Sequence, residues 1–130
     1  MEREAIHVAG ISEALKAAGV PLSPAIKANG FVFVSGTPPI DPATGKVSSA
    51  DIATQTELVM ENLKAVLEAA GSGLDKVVKV NVFVSNSGYY DLVNEVYGRY
   101  FDDPAPARTF VAVGSWPWPF DIEIECTALA

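Results

Sequence analysis

Four groups of residues in this chain have types and spacings that can do chemistry. The first is Arg108, alone among apolar neighbours in Pro106-Ala107-Arg108-Thr109-Phe110-Val111. An arginine inside a strand is costly to bury unless something anionic meets it. Its planar fork matches a carboxylate at two points, which lysine cannot reproduce. That anion is either a ligand carboxylate or an acid of the chain beside a strand edge. The second group is Glu123, with Glu125 two residues on, so that strand alternation puts both on one face. A carboxylate on an otherwise apolar sheet can act as general base on water; on a solvated face it is only a surface charge. The third is Ser35-Gly36-Thr37, at the end of an apolar run. Small residues there let a ligand approach the backbone closely, or simply make a turn. The fourth is Trp116-Pro117-Trp118-Pro119-Phe120, whose prolines hold Trp118 extended, either as an aromatic lid or as a loop packed on the core.

Other chemistries are excluded by what is missing. Cys126 and His7 are the single cysteine and single histidine. No internal disulfide is possible, which makes a cytoplasmic setting the default, and one Cys with one His cannot build a zinc site of the usual N/S kind. A nucleophile triad would have to recruit His7 from a polar N-terminal segment expected to lack a fixed position. Gly71-Ser72-Gly73-Leu74-Asp75-Lys76 is glycine-rich but lacks the phosphate-loop spacing, and reads as a helix stop and turn. The 16 acidic against 9 basic residues, a net charge of −7, repel nucleic acid and anionic membranes. Met1-Glu2-Arg3-Glu4 has none of the character of a signal peptide, and apolar runs such as Phe31 to Val34 are far too short to span a bilayer. The expectation is a single cytoplasmic domain over residues 1–130, with no nucleic-acid or membrane partner.

The elements that must position these residues are legible from turn chemistry and periodicity. Asn29-Gly30 between Ala25–Ala28 and Phe31–Ser35 predicts a hairpin, since both turn positions need positive φ. The proline-rich stretch from Pro38 to Lys46 predicts a loop. A helix is expected from about Asp51 to Ala70, burying Ile52, Val59, Leu63, Val66, Leu67 and Ala70, with Asp51 at its start and Gly71 at its end. Val77 to Val84 predicts a strand with Val78, Val80, Val82 and Val84 on one side and Lys79 and Asn81 on the other. A second helix is expected over Tyr89–Phe101, with Ser87 as its N-cap and Leu92, Val93, Val96, Tyr97, Tyr100 and Phe101 as its apolar stripe. Met60 and the tyrosines read as core. Strands over Arg108–Val113 and Asp121–Ala128 close the chain, the last with Ile122, Ile124 and Cys126 on one side. The order predicts an α+β fold, two helices on one face of a mainly antiparallel sheet. The other face needs cover for either Phe31 and Phe33 or Val32 and Val34, which points to association through that face.

These stretches together resemble the Rid (RidA/YjgF) family of reactive intermediate imine/enamine deaminases. The resemblance runs from about Pro21 to Ala130. It is carried by Ala25 to Gly36, Ile40-Asp41-Pro42-Ala43-Thr44-Gly45, Glu61 to Gly71, Val78 to Val84, Val93-Asn94-Glu95-Val96-Tyr97, Pro106-Ala107-Arg108 and Ile122-Glu123-Ile124-Glu125. It implies a chorismate-mutase-like subunit in a homotrimer, with clefts between subunits and no cofactor. It implies that Arg108 binds the substrate carboxylate, that Glu123 positions water, and that Ser35, Gly36 and Asn94 belong to the pocket. Two positions depart from the family pattern: Leu22 stands where a tyrosine is usual, and Phe110 where a cysteine is usual. Leu22 removes a hydroxyl, and Phe110 adds apolar bulk on the strand face of Arg108.

The expected activity is hydrolysis of 2-imino or enamino acids to 2-oxo acids and ammonia. The alternative is a non-catalytic trimer that binds small carboxylates or a protein partner in the same cleft. Ribonuclease activity, sometimes ascribed to relatives, is opposed by the charge and by the lack of a histidine pair. Phe110 with Trp116 or Trp118 would favour bulky apolar imino acids.

Overall fold

The computed structural model describes residues 2–130. Eight strands and three α-helices follow one another as β1 (Glu4–Ile6), α1 (Ile11–Ala17), β2 (Ala25–Ala28), β3 (Phe31–Thr37), β4 (Ile40–Asp41), β5 (Lys46–Val47), α2 (Ile52–Ala69), β6 (Val77–Val84), α3 (Tyr90–Tyr97), β7 (Ala107–Ala112) and β8 (Ile122–Leu129). Six strands form one sheet in the order β1-β2-β3-β8-β6-β7, and β4 pairs with β5 separately. All pairings in the large sheet are antiparallel except β6 with β7. The fold is α+β, as the element order predicts.

The central elements form where the residue patterns put them. Asn29 and Gly30 both have positive φ (51° and 80°), the turn that lets β2 and β3 pair back to back. In α2, Asp51 Oδ1 accepts the Thr54 N–H at 2.8 Å, capping the first turn, and that bond holds the Asp51 carboxyl below its ordinary pKa. Gly71, at φ 77°, stops the helix. Met60, Leu63 and Leu67 are fully buried, each worth about 1.5–3 kcal/mol of burial. α2 lies against β8, β3 and α3, and the core fills the layer between helices and sheet.

Several elements differ from expectation. The N-terminal segment is placed: β1 pairs with β2, and Glu13 of α1 accepts the Gly10 N–H at 2.8 Å while standing 3.3 Å from His7 Nε2. There are thus three helices, not two. The Pro38–Lys46 stretch contains most of the small β4–β5 hairpin, because Asp41 and Lys46 pair across the turn that Gly45 permits. Val78 is 41 % exposed rather than core. Between Val77 and Lys79, β6 advances two residues while β8 advances one, so Val78 sits in a bulge and points outward. The second helix ends at Tyr97, and a 3₁₀ turn over Ser87–Tyr89 precedes it. Asn86, not Ser87, caps that turn through the Gly88 N–H. Leu92 is exposed, about 100° round the helix from buried Val93.

Two polar networks anchor the chain on either side of Glu123 and Gly36. Gln55 is fully buried; its Nε2 donates to Asp121 Oδ2 (3.0 Å) and its Oε1 accepts the Asp121 N–H (2.8 Å), while Ser85 Oγ donates to Asp121 Oδ1 (2.7 Å). This locks the start of β8, two residues before Glu123. Asn62 Nδ2 donates to the Ile40 carbonyl (2.7 Å), tying the chain just beyond Gly36 to α2.

Candidate functional site

The site residues expected from the chain fall into two groups. Arg108 lies on β7 opposite Val80 of β6, and Phe110 opposite Val82. Val80 and Val82 are fully buried beneath the helices, so Arg108 and Phe110 share the helix-covered face. Glu123 lies on β8 opposite Phe83, the residue between Val82 and Val84, and so belongs to the other face. Arginine and glutamate of one chain therefore stand on opposite sides of its sheet.

Around Arg108 the structure builds a cradle from α3. Residues 90, 94 and 97 recur at i, i+4 and i+7 and present one face to β7. The Arg108 Nη1 donates to Asn94 Oδ1 at 2.7 Å. Its guanidinium carbon is 4.9 Å from the Tyr97 ring centre, 5.7 Å from Tyr90 and 5.6 Å from Phe110, and Phe110 meets Tyr90 edge to face at 4.9 Å. Stacked arginine is held without losing its hydrogen-bonding edge. Among the described residues the ion pairs are His7–Glu13 and Arg99–Glu95, so Arg108 is not neutralised by a local acid. Tyr97 is buried, its hydroxyl lacks a hydrogen-bond partner, and burial pushes its pKa up to about 12 against the opposing pull of Arg108. Tyr97 is core, as the sequence suggests, whereas Tyr90 is 47 % exposed rather than core; their spacing with Asn94 is the signal that places both beside Arg108.

Around Glu123 the structure builds a second, partly buried niche. The carboxylate presses against Gly36: a Cβ placed on that glycine would come within 2.8 Å of Glu123 Cδ. Gly36 is thus small because Glu123 occupies the space, a close approach between side chain and backbone. Burial raises the Glu123 pKa, and the like charge of Glu125 raises it further, while a hydrogen bond from the Trp116 side chain opposes both. A carboxyl held above its ordinary value is better matched to proton transfer near neutrality. Trp116 stacks on Phe120 at 4.6 Å, and Trp118 is left 47 % exposed. Ser35 Oγ donates to the Ser23 carbonyl at 2.6 Å, and the Ser35 N–H to the Pro24 carbonyl at 3.0 Å. Those bonds pin the segment carrying Leu22, itself 44 % exposed, against β3. Leu22, Ser35 and Gly36 also wall a void of about 20 Å³. Glu123 and Gly36 therefore belong together, with Ser35 next to Gly36 in the chain and the Leu22 segment tied to Ser35; Arg108, Asn94 and Phe110 form the other group.

Comparison with known proteins places the chain. The family model described as Endoribonuclease L-PSP matches residues 11–130. A RutC family protein of Pyrococcus horikoshii is 47 % identical over 108 residues, 83 % of this chain and 86 % of that protein. A solved Rid family protein of unknown function from Yersinia pestis superposes with a TM-score of 0.89 at 36 % identity, over 99 % of this chain and 100 % of that one. The chain belongs to the Rid family. Within that family, a protein of Arabidopsis thaliana named Reactive Intermediate Deaminase A, chloroplastic, is 41 % identical to this Rid protein over 117 residues, 90 % of this chain and 63 % of that one. Relatives thus carry both deaminase and endoribonuclease names. In this Rid protein no three His, Cys, Asp or Glu side chains gather as a metal cluster among the described residues. No described helix is long and apolar enough to cross a membrane.

Proposed function

We propose that this Rid protein hydrolyses 2-imino acids and their enamine tautomers, at sites formed between copies of the chain in a homotrimer. The observation that carries the reading is the state of Arg108. It is a guanidinium stacked on three rings and oriented by a neutral amide, with no acid paired to it among the described residues. Such a group is built to receive a carboxylate from outside, a charge-assisted contact worth about 1.5–3 kcal/mol per hydrogen bond.

Glu123 supplies the second half of the chemistry from the opposite sheet face, so the two halves meet only when a second copy is apposed. The outward face favours that apposition: Phe33 and Leu129 are each 47 % exposed and Val111 is 40 % exposed. In the assembled cleft, Arg108 of one copy holds the substrate carboxylate. Glu123 of the next takes a proton from water as its oxygen attacks the imine carbon. Glu123 returns that proton to the nitrogen, then relays the hydroxyl proton of the carbinolamine to the same nitrogen as the C–N bond breaks and C=O forms, so that ammonia leaves a 2-oxo acid. Orientation and proton transfer provide the acceleration.

Leu22 and Phe110 support a second reading, a trimer that binds small carboxylates or a protein partner in this cleft without turning anything over, because both replace polar side chains usual in the family. A coupled assay separates the two. An amino acid oxidase generates imines in the presence of the protein, and their hydrolysis is followed with wild type and Arg108→Ala. Acceleration lost in the variant supports the deaminase. Carboxylate binding that needs Arg108, with no acceleration for any imine, overturns the deaminase in favour of the binding protein.

A further inference from the structure

The cleft beside Leu22 and Ser35 is lined by cations and by no carboxylate. It holds about 720 Å³, with Leu15, Val20 and Ile26 among its apolar walls and Arg3, His7 and Lys16 on it as well. No aspartate or glutamate lines it, although the chain has 16 acids against 9 Lys and Arg. Neither Arg3 nor Lys16 is in an ion pair among the described residues, and His7 meets Glu13 at 3.3 Å. A low-dielectric concavity lined by one sign of charge raises the local concentration of the opposite sign. Leu22 and Ser35 belong both to this cleft and to the niche at Gly36, against which the Glu123 carboxylate packs. The cleft therefore adjoins, through Ser35, the glycine against which Glu123 packs.

We propose that this cleft receives the far end of the substrate, and that the preferred substrates are 2-imino acids whose side chain ends in a second carboxylate. This rests on the deaminase reading and adds the substrate class to it. The 2-carboxylate goes to Arg108 of the apposed copy. The methylenes of the side chain cross the apolar surface that Leu22 provides in place of a hydroxyl. The terminal carboxylate meets Arg3 and Lys16. Phe110 packs against Tyr90 and Trp116 against Phe120, while Trp118 stays exposed.

The test compares two stable products of equal length, 2-oxopentanedioate and 2-oxopentanoate, by calorimetry on the wild-type protein and on the Arg3→Ala, Lys16→Ala double variant. Both positions are exposed, so the variant is expected to keep its fold. The dicarboxylate binds about tenfold tighter to wild type, and the preference disappears in the double variant. The ratio of kcat/KM between the corresponding imines falls by the same factor. Equal affinities in wild type, or a preference that survives the double variant, overturn the proposal. Hydrolysis of neutral imines without any dicarboxylate preference overturns it while leaving the deaminase standing. A preference that depends on Arg3 and Lys16 in a protein that hydrolyses no imine supports the cleft as a dicarboxylate site and overturns the deaminase instead.

Discussion

The two faces of the sheet treat charge in opposite ways. On the covered face, Arg108 is packed among Tyr90, Tyr97 and Phe110 and donates to Asn94, so its position is fixed while its charge stays uncompensated. On the outward face, Glu123 is wedged against Gly36 beside the like charge of Glu125, so its ionised form is disfavoured. In the proposed function one face prepares an anchor and the other a base, and the register puts the sheet itself between them. In a fold with helices on only one side, the bare face is the natural place for a second copy to dock. It is also the place where a carboxylate can be partly desolvated without a helix covering it.

This contrast can be broken from either side. The largest effect is expected for Arg108→Lys, which keeps the charge but loses the planar two-point contact. Activity measured as kcat/KM on any imine should fall by about a hundredfold, mostly through KM; near-normal activity would remove the anchor role. Next is Phe33→Asp, which puts a charge on the outward face at a residue that is not part of the core. The protein should stay folded by circular dichroism yet sediment as a smaller species without activity. Full activity in that species would place the whole site within one chain.

Smaller effects sharpen the description of the base. Gly36→Ala would push the Glu123 carboxylate from its niche, and kcat should fall about tenfold with KM little changed, since the anchor is elsewhere. Glu123→Gln tests the electrostatics through stability. A carboxyl whose pKa is raised on folding stabilises the native state fully below its unfolded pKa, and that contribution is lost as pH rises through the folded value. The glutamine variant should therefore melt above wild type at neutral pH, and the gap should close in acid. A constant gap across pH would deny that the folded protein raises this pKa.

Much of the scaffold is legible from local signals. The Asn29-Gly30 turn, the stripe and caps of α2, and the alternation of Ile122, Ile124 and Cys126 each follow from neighbours close in sequence. What escapes depends on partners far along the chain. Val78 leaves the core because β8 and β6 are out of step at one point. β1 and α1 become ordered because β2 offers Glu4–Ile6 a pairing edge. The site shows the same division. The types of Arg108, Glu123, Asn94 and Gly36 mark them out in the sequence. Which face each occupies relative to the others depends on the register of β6 with both β7 and β8. Tyr97 is core as expected, but Tyr90 is exposed, and only that register shows that Arg108 lies over both rings.

The most direct test of a site shared between copies is to mix two inactive variants. Arg108→Ala keeps the base, Glu123→Gln keeps the anchor, and each alone should be without activity. Unfolded together and refolded in equal amounts, they should recover about a quarter of wild-type activity, the share of interfaces in a closed ring that pair an intact base with an intact anchor. Mixed assemblies that form, as mass spectrometry would show, but remain inactive would contradict a site composed of Arg108 from one copy and Glu123 from the next.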